Sequence, residues 1–169
     1  VEDRARARAA LGIPPEDFLV CCFGVVGPSK LNHEVFEAWE RTPLAQRADC
    51  RLVFVGDGIA SPYGEALQAL AEQAGLVSPV RITGYVDTAT YRRYLVAADL
   101  AVQLRTLSRG ETSGAVLDCM AHGLPVMASR HGATAELPDD AVWQIPEATP
   151  VDDVARALAD PRTVVVSIT

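Results

Sequence analysis

Short apolar runs alternate with segments of helical period along most of the chain. Residues 18–24 (Phe-Leu-Val-Cys-Cys-Phe-Gly), 51–56, 80–84, 99–104, 125–129 and 141–145 are mostly apolar and end at turn-forming residues, which predicts strands. Between them, 31–41, 63–75, 88–97, 113–122 and 152–158 space their apolar residues three and four apart, as helices do. Val35, Phe36 and Trp39, for example, share one face of the 31–41 segment. Residues 131–136 suit a single helical turn, and the opening stretch Glu-Asp-Arg-Ala-Arg-Ala-Arg-Ala-Ala-Leu-Gly is helical in character. Asp87 or Thr88 would cap the start of the 88–97 helix, and Gly75 and Gly123 would stop the helices before them.

The strands read as continuous apolar runs rather than as alternating ones, so both faces of the sheet are covered. The pattern predicts an α/β fold: a Rossmann-like, doubly wound parallel sheet in one domain over residues 1–169. Such sheets bind ligands beyond the carboxyl ends of their strands, at the point where strand order reverses. Loops 24–31, 56–63, 84–88, 104–114 and 129–133 are therefore where chemistry is expected.

Composition narrows the choice of ligand. The chain has 169 residues, 49% of them hydrophobic, enough for one sizeable core. A net charge of −7 argues against long nucleic acid, which needs a surplus of Lys and Arg, but leaves a small phosphorylated ligand open. Cys21, Cys22, Cys50 and Cys119 form no Cys-x-x-Cys pair and have no histidine cluster beside them. They read as buried hydrophobes of a reducing cytoplasm, with Cys21 and Cys22 on opposite faces of their strand, and no metal site is expected. No apolar stretch is long enough for a membrane span, and no signal peptide is evident. The start at Val1 and the β-branched run Val164–Val166 suggest an excised domain, or one with foreign terminal residues.

Three loops carry candidate chemistry. Gly24-Val-Val-Gly-Pro-Ser-Lys follows a strand and leads into a helix, so glycine-flanked amides and the Lys30 ammonium could meet a phosphate, with Gly27 permitting close approach. It is neither Gly-x-Gly-x-x-Gly nor a P-loop. The stretch 104–118 holds Arg105, Arg109 and Glu111, then opens an apolar helix through Gly110, Thr112, Ser113 and Gly114. Small residues at a helix start expose amide donors to an anion, and Glu111 and Asp118 could accept hydrogen bonds from hydroxyls. Phosphate flanked by hydroxyl-bearing groups describes a nucleotide sugar. The plain alternative is that Thr112 or Ser113 only caps the helix and Glu111 only complements its dipole. In the third loop, 129–136, Gly132 allows close approach, Glu136 could touch sugar hydroxyls, and His131 reads as a surface residue. His33 and His122 have no evident partner, with His122 packing near a helix end, and Tyr91 and Tyr94 would cap the core or face a neighbouring domain.

The segment 109–126 (Arg-Gly-Glu-Thr-Ser-Gly-Ala-Val-Leu-Asp-Cys-Met-Ala-His-Gly-Leu-Pro-Val) resembles the signature of family 4 glycosyltransferases, the retaining GT-B class. So do Phe-Gly…Lys at 23–30, Arg-Leu-Val-Phe-Val-Gly-Asp-Gly at 51–58, Arg-Ile-Thr-Gly-Tyr-Val-Asp at 81–87 and Ala-Ala-Asp-Leu-Ala-Val-Gln-Leu at 97–104. The match in order and spacing covers about residues 1–158. The resemblance implies the C-terminal, donor-binding half of a two-domain GT-B enzyme that moves a hexose from a nucleoside-diphosphate sugar to a hydroxyl with retention. The N-terminal acceptor domain would lie outside this chain. It implies no cofactor and no metal, a cytoplasmic setting with peripheral membrane association of the whole enzyme, and a product that is a glycan, polysaccharide or glycolipid. Glu111 would contact the sugar, Asp118 the ribose, Ser113 and Gly114 the phosphates, and Lys30 the diphosphate, with Lys30, Arg109 and Glu111 as the catalytic set. Two departures stand out. The family's two acids are separated by seven residues, whereas six separate Glu111 from Asp118, and Val25 and Val26 occupy the place of a first-loop arginine that Arg105 or Arg109 would replace. A nucleotide-sugar epimerase of the same architecture would require a carboxylate or histidine pair. A degenerate assembly domain would show a damaged phosphate loop.

Overall fold

The computed structural model describes residues 3–106, 112–160 and 163. Its centre is β1 (Phe18–Phe23), buried at all six positions. On one side β1 pairs in parallel with β2 (Cys50–Val55), followed by β3 (Val80–Ile82). On the other it meets β4 (Leu100–Gln103), then β5 (Val126–Ser129) and β6 (Trp143–Ile145). The order β3-β2-β1-β4-β5-β6 is the expected doubly wound parallel sheet, and its order reverses between β1 and β4.

Alternation of side chains along β1 feeds two cores. Val20 and Cys22 face a cluster with Val35, Phe36 and Trp39 of α2 (Asn32–Glu40), Leu67 and Ala71 of α3 (Pro62–Gln73), and Val154 and Leu158 of α6 (Pro150–Ala159). Leu19, Cys21 and Phe23 face the other, with Ala7 of α1 (Arg4–Leu11), Tyr94 and Leu95 of α4 (Thr88–Ala97), and Val116 and Cys119 of α5 (Gly114–Ala121). Each large side chain fully withdrawn from water, such as Trp39 or Phe36, contributes roughly 1.5–3 kcal/mol. All four cysteines are buried free thiols, and burial holds those of Cys21, Cys22 and Cys119 far above their ordinary pKa, so they act as small apolar fillers.

The capping chemistry follows the sequence closely. Asp87, not Thr88, caps α4 by accepting from Thr90 N at 2.7 Å, and Ser113, not Thr112, caps α5. Two 3₁₀ helices, Pro28–Lys30 and Pro43–Gln46, were not anticipated, and the turn at Gly132–Glu136 is also 3₁₀. The final helix starts at Pro150 rather than Asp152, because proline is well suited to a first helical position.

A seam of buried charge fastens α1 to the sheet. The Asp99 carboxylate, fully covered, accepts from Arg8 Nη2 at 2.7 Å and Leu19 N at 2.6 Å and pairs with Arg4. Arg8, 2% exposed, also donates to the carbonyls of Ala97 (3.0 Å), Pro14 (3.1 Å), Pro15 (2.7 Å) and Asp17 (2.8 Å). Burial pulls the Arg8 pKa below its ordinary value, and the attraction of Asp99 opposes that fall.

Candidate functional site

At the reversal point β1 and β4 pair only through Val20–Leu100 and Cys21–Ala101 before they part. Past that point the backbone of Phe23 needs another partner. The buried Gln103 side chain provides one, its amide facing Phe23 O at 3.0 Å and its oxygen facing Phe23 N at 2.6 Å. A polar residue in an otherwise apolar strand thus closes the floor of a crevice between the two strand ends.

The loop after β1 is braced against the loop after β2. Gly24 N donates to Val55 O (3.0 Å) and Val26 N to Asp57 O (2.7 Å). The fit leaves no room for side chains: a Cβ at Gly56 would lie 2.0 Å from Gly24 O, and one at Gly58, at φ +114°, 2.5 Å from Val26 O. The Gly-Asp-Gly motif is therefore a backbone contact. The chain then turns through Pro28–Lys30, and Leu31 adopts a left-handed conformation at φ 50°, which costs a non-glycine residue about 1–2 kcal/mol. This kink carries the chain into α2. The Lys30 stem lies over the end of β1, its Cε 3.9 Å from where a Cβ on Gly24 would be.

The loops after β1 and β4 are joined directly, Thr106 N donating to Ser29 O at 3.1 Å. The loop after β4 is joined in turn to β5, where Arg105 N donates to Ser129 Oγ at 2.9 Å. Thr134 Oγ1 donates within its loop to Ser129 O and His131 O, both at 2.6 Å. One pocket results, lined by Lys30, Gln103, Arg105, Ser113, His131 and Thr134, among others. Its walls carry two fixed cations and a histidine, and the first turn of α5 opens at Ser113, whose hydroxyl is turned back toward Val116 N. Such a surface suits an anion. A second pocket adjoins it, shares Arg105 and Ser129, and brings in Glu34 and Glu147. Glu147 pairs with His131 Nδ1.

The residues singled out in the sequence are not equally served by this geometry. Lys30, Arg105 and Ser113 come together. Thr112 and Gly114 are exposed at the start of α5, and nothing lies within 4 Å of a Cβ built on Gly114. Gly27 stands apart: its amide donates to the buried Asn32 side chain at 3.0 Å and stabilises the loop from within. Asp118 lies farther along α5, outside the pocket walls, and accepts from Tyr91 Oη at 3.1 Å. Burial, then the neighbouring Asp118 carboxylate, raises the Tyr91 hydroxyl pKa well above its ordinary value, so it stays a donor. Tyr91 also packs edge-on against Phe23, while Tyr94 is plain core. Arg109, Gly110 and Glu111 lie outside the described residues. Three pocket residues escaped the sequence reading, Gln103, Thr134 and His131, the last partly exposed at the surface as well as lining the pocket. His122, as expected, sits at its helix end, with Nδ1 2.8 Å from Asp118 O.

Among the described residues no group of three metal-binding side chains stands together, and no helix is long and apolar enough to cross a membrane.

Residues 17–161 match the family described as glycosyl transferases group 1. The chain is 28% identical over 164 residues to the GDP-mannose-dependent monoacylated alpha-(1-6)-phosphatidylinositol monomannoside mannosyltransferase of Corynebacterium glutamicum, covering 94% of this chain and 42% of that protein. It is 33% identical to a D-inositol 3-phosphate glycosyltransferase of Mycobacterium tuberculosis, covering 77% of this chain and 26% of the relative. The chain thus spans less than half the length of these relatives. Among solved structures it superposes on the C-terminal domain of a glycosyl transferase group 1 family protein of Francisella tularensis (TM-score 0.78, 22% identity, 99% of this chain, 88% of that one). It also superposes on Anabaena HepE in complex with UDP-glucose (TM-score 0.76, 21% identity, 98% and 45%). At these identities the structural likeness speaks for the fold.

Proposed function

The chain belongs to the glycosyl transferases group 1 family, and from that premise we propose that it is the donor-binding half of a retaining hexosyltransferase. The donor is a nucleoside-diphosphate sugar and the acceptor a hydroxyl of a glycan, polysaccharide or glycolipid, held by a second, N-terminal domain. One observation carries the reading: Lys30, Arg105 and the start of α5 at Ser113 line a single pocket at the strand reversal, between loops joined by the Thr106–Ser29 hydrogen bond. As the anomeric carbon–oxygen bond breaks, charge grows on the departing diphosphate. Fixed cations and a helix start aimed at that charge lower the barrier without a bound metal. Glu111 would contact the sugar and Arg109 the phosphates, in keeping with the family resemblance.

Asp118 would grip the ribose, with Tyr91 fixing its orientation. Asp118→Ala is expected to weaken nucleoside-diphosphate binding about tenfold, the order of a charged hydrogen bond, while inorganic pyrophosphate binds as before. Calorimetry with both ligands checks this. Equal losses for the two would place Asp118 in the anion pocket or in the fold rather than on the ribose.

The isomerase alternative gains one feature, since the His131–Glu147 pair is of the kind it requires. The family assignment favours transfer. Titrating UDP, GDP and ADP separately into the folded chain tests the whole reading: one should bind in the micromolar to millimolar range, and its sugar conjugate should stay unepimerised on prolonged incubation. A folded chain that binds none of the three would support an assembly role instead.

A further inference from the structure

The His131–Glu147 pair lies where a structural ion pair has little to stabilise. Side chains 27% and 52% exposed are too wet for the pair to contribute more than about 0–1 kcal/mol to the fold. Its position is more informative. Glu147, after β6, holds Nδ1, which leaves Nε2 to donate when the ring is protonated, and the ring lines the pocket with Lys30 and Arg105. The backbone keeps it there: His131 N donates to Ser129 O at 2.8 Å, and Thr134 Oγ1 returns a bond to His131 O.

We propose that His131, oriented by Glu147, is a proton-controlled ligand of the donor's diphosphate: its imidazolium contacts a phosphate oxygen, and its neutral form does so far less well. This rests on the nucleotide-sugar reading above. The charges around the ring make it sensitive to the ligand. Lys30, from the 3₁₀ helix after β1, and Arg105, after β4, line the same pocket as the ring. Glu147 pairs with the ring, Glu34 of α2 lines the adjoining pocket, and Arg130 and Glu136 are near it in its own loop sequence. A bound diphosphate adds negative charge and tips the ring toward the imidazolium. Histidine is the side chain for which such a tip falls near neutral pH.

The sign follows by linkage. A proton taken up on binding makes affinity highest at low pH and weaker as pH rises through the titration of the bound imidazole. The nucleotide's own phosphate runs the other way, gaining charge as it loses its last proton near pH 6. The comparison is therefore between variants, with the binding nucleoside diphosphate titrated calorimetrically at pH 5.5, 6.5 and 8. Relative to His131→Asn, the wild-type chain should bind about tenfold more tightly at pH 5.5 and by a much smaller margin at pH 8. Glu147→Gln should match wild type at pH 5.5 and fall toward His131→Asn at pH 6.5. The chain has three histidines, so the wild-type imidazole signals give a reading that needs no variant: one should titrate at higher pH when nucleotide is present. Identical affinities for wild type and His131→Asn at every pH, or three imidazoles blind to nucleotide, would overturn this inference and leave the Lys30 pocket standing. Failure of the wild-type chain to bind any nucleoside diphosphate would remove both.

Discussion

Replacing Asp99 by alanine is expected to cost about 3–5 kcal/mol of stability, a large share of the roughly 5–15 kcal/mol that holds a domain of this kind together. The substitution removes little volume. Its cost lies in what stays behind: the Arg8 guanidinium, 2% exposed, loses its counter-ion, and Leu19 N loses its 2.6 Å acceptor. Buried ion pairs can often be exchanged for apolar residues at little cost, but this one resists the exchange. Arg8 also satisfies four backbone carbonyls, one of them that of Ala97 at the carboxyl end of α4, where the helix leaves carbonyls without internal partners. Arg8→Met combined with Asp99→Leu should therefore also destabilise, by leaving those carbonyls and Leu19 N unbonded. Urea unfolding of the three proteins checks this through the transition midpoint at constant slope. A double variant as stable as wild type would mean that the carbonyl contacts contribute nothing.

That seam shows where sequence reading stops. Arg-Ala-Arg-Ala-Arg along α1 has the look of a solvated helix, and nothing local marks Arg8 as the one drawn inside. The choice depends on Asp99, 91 residues away, and on where α1 crosses α4. The sheet, by contrast, was legible almost throughout, because strands covered on both faces read as nearly continuous apolar runs: β1 is apolar at every position, and β4 and β5 each end on one polar residue, Gln103 and Ser129. The site was legible where its chemistry follows the local order of strand, small-residue loop and helix, which singled out Lys30 and Ser113. It was not where partners meet across elements. The glutamate that turns His131 into a pocket residue lies beyond β6, and the tyrosine holding Asp118 lies on α4. Gly27 misled for a related reason: a glycine before a helix suggests a bare amide, and only the fold reveals Asn32 reaching back to it.

The largest functional effect is expected at Lys30. In a complete enzyme carrying this domain, Lys30→Ala should lower kcat/KM about a hundredfold to a thousandfold, as loss of one fixed group facing a charge that grows during reaction does elsewhere. The distinction between ground state and transition state can be read from binding alone. A nucleotide sugar loses its glycosyl group from the terminal phosphate, so the free nucleoside diphosphate carries more negative charge at the oxygen that departs. A lysine placed for the leaving group must therefore prefer product to substrate, and Lys30→Ala should weaken the diphosphate more than the intact sugar nucleotide. The stem lies over Gly24 at the surface of the β1 turn, so thermal stability should hardly move. Equal losses of affinity for the two ligands would make Lys30 a uniform binding contact that lowers KM without raising kcat. Unchanged affinity for both would take the ammonium out of the site and leave the start of α5 without the cation that, with Arg105, makes the pocket an anion site.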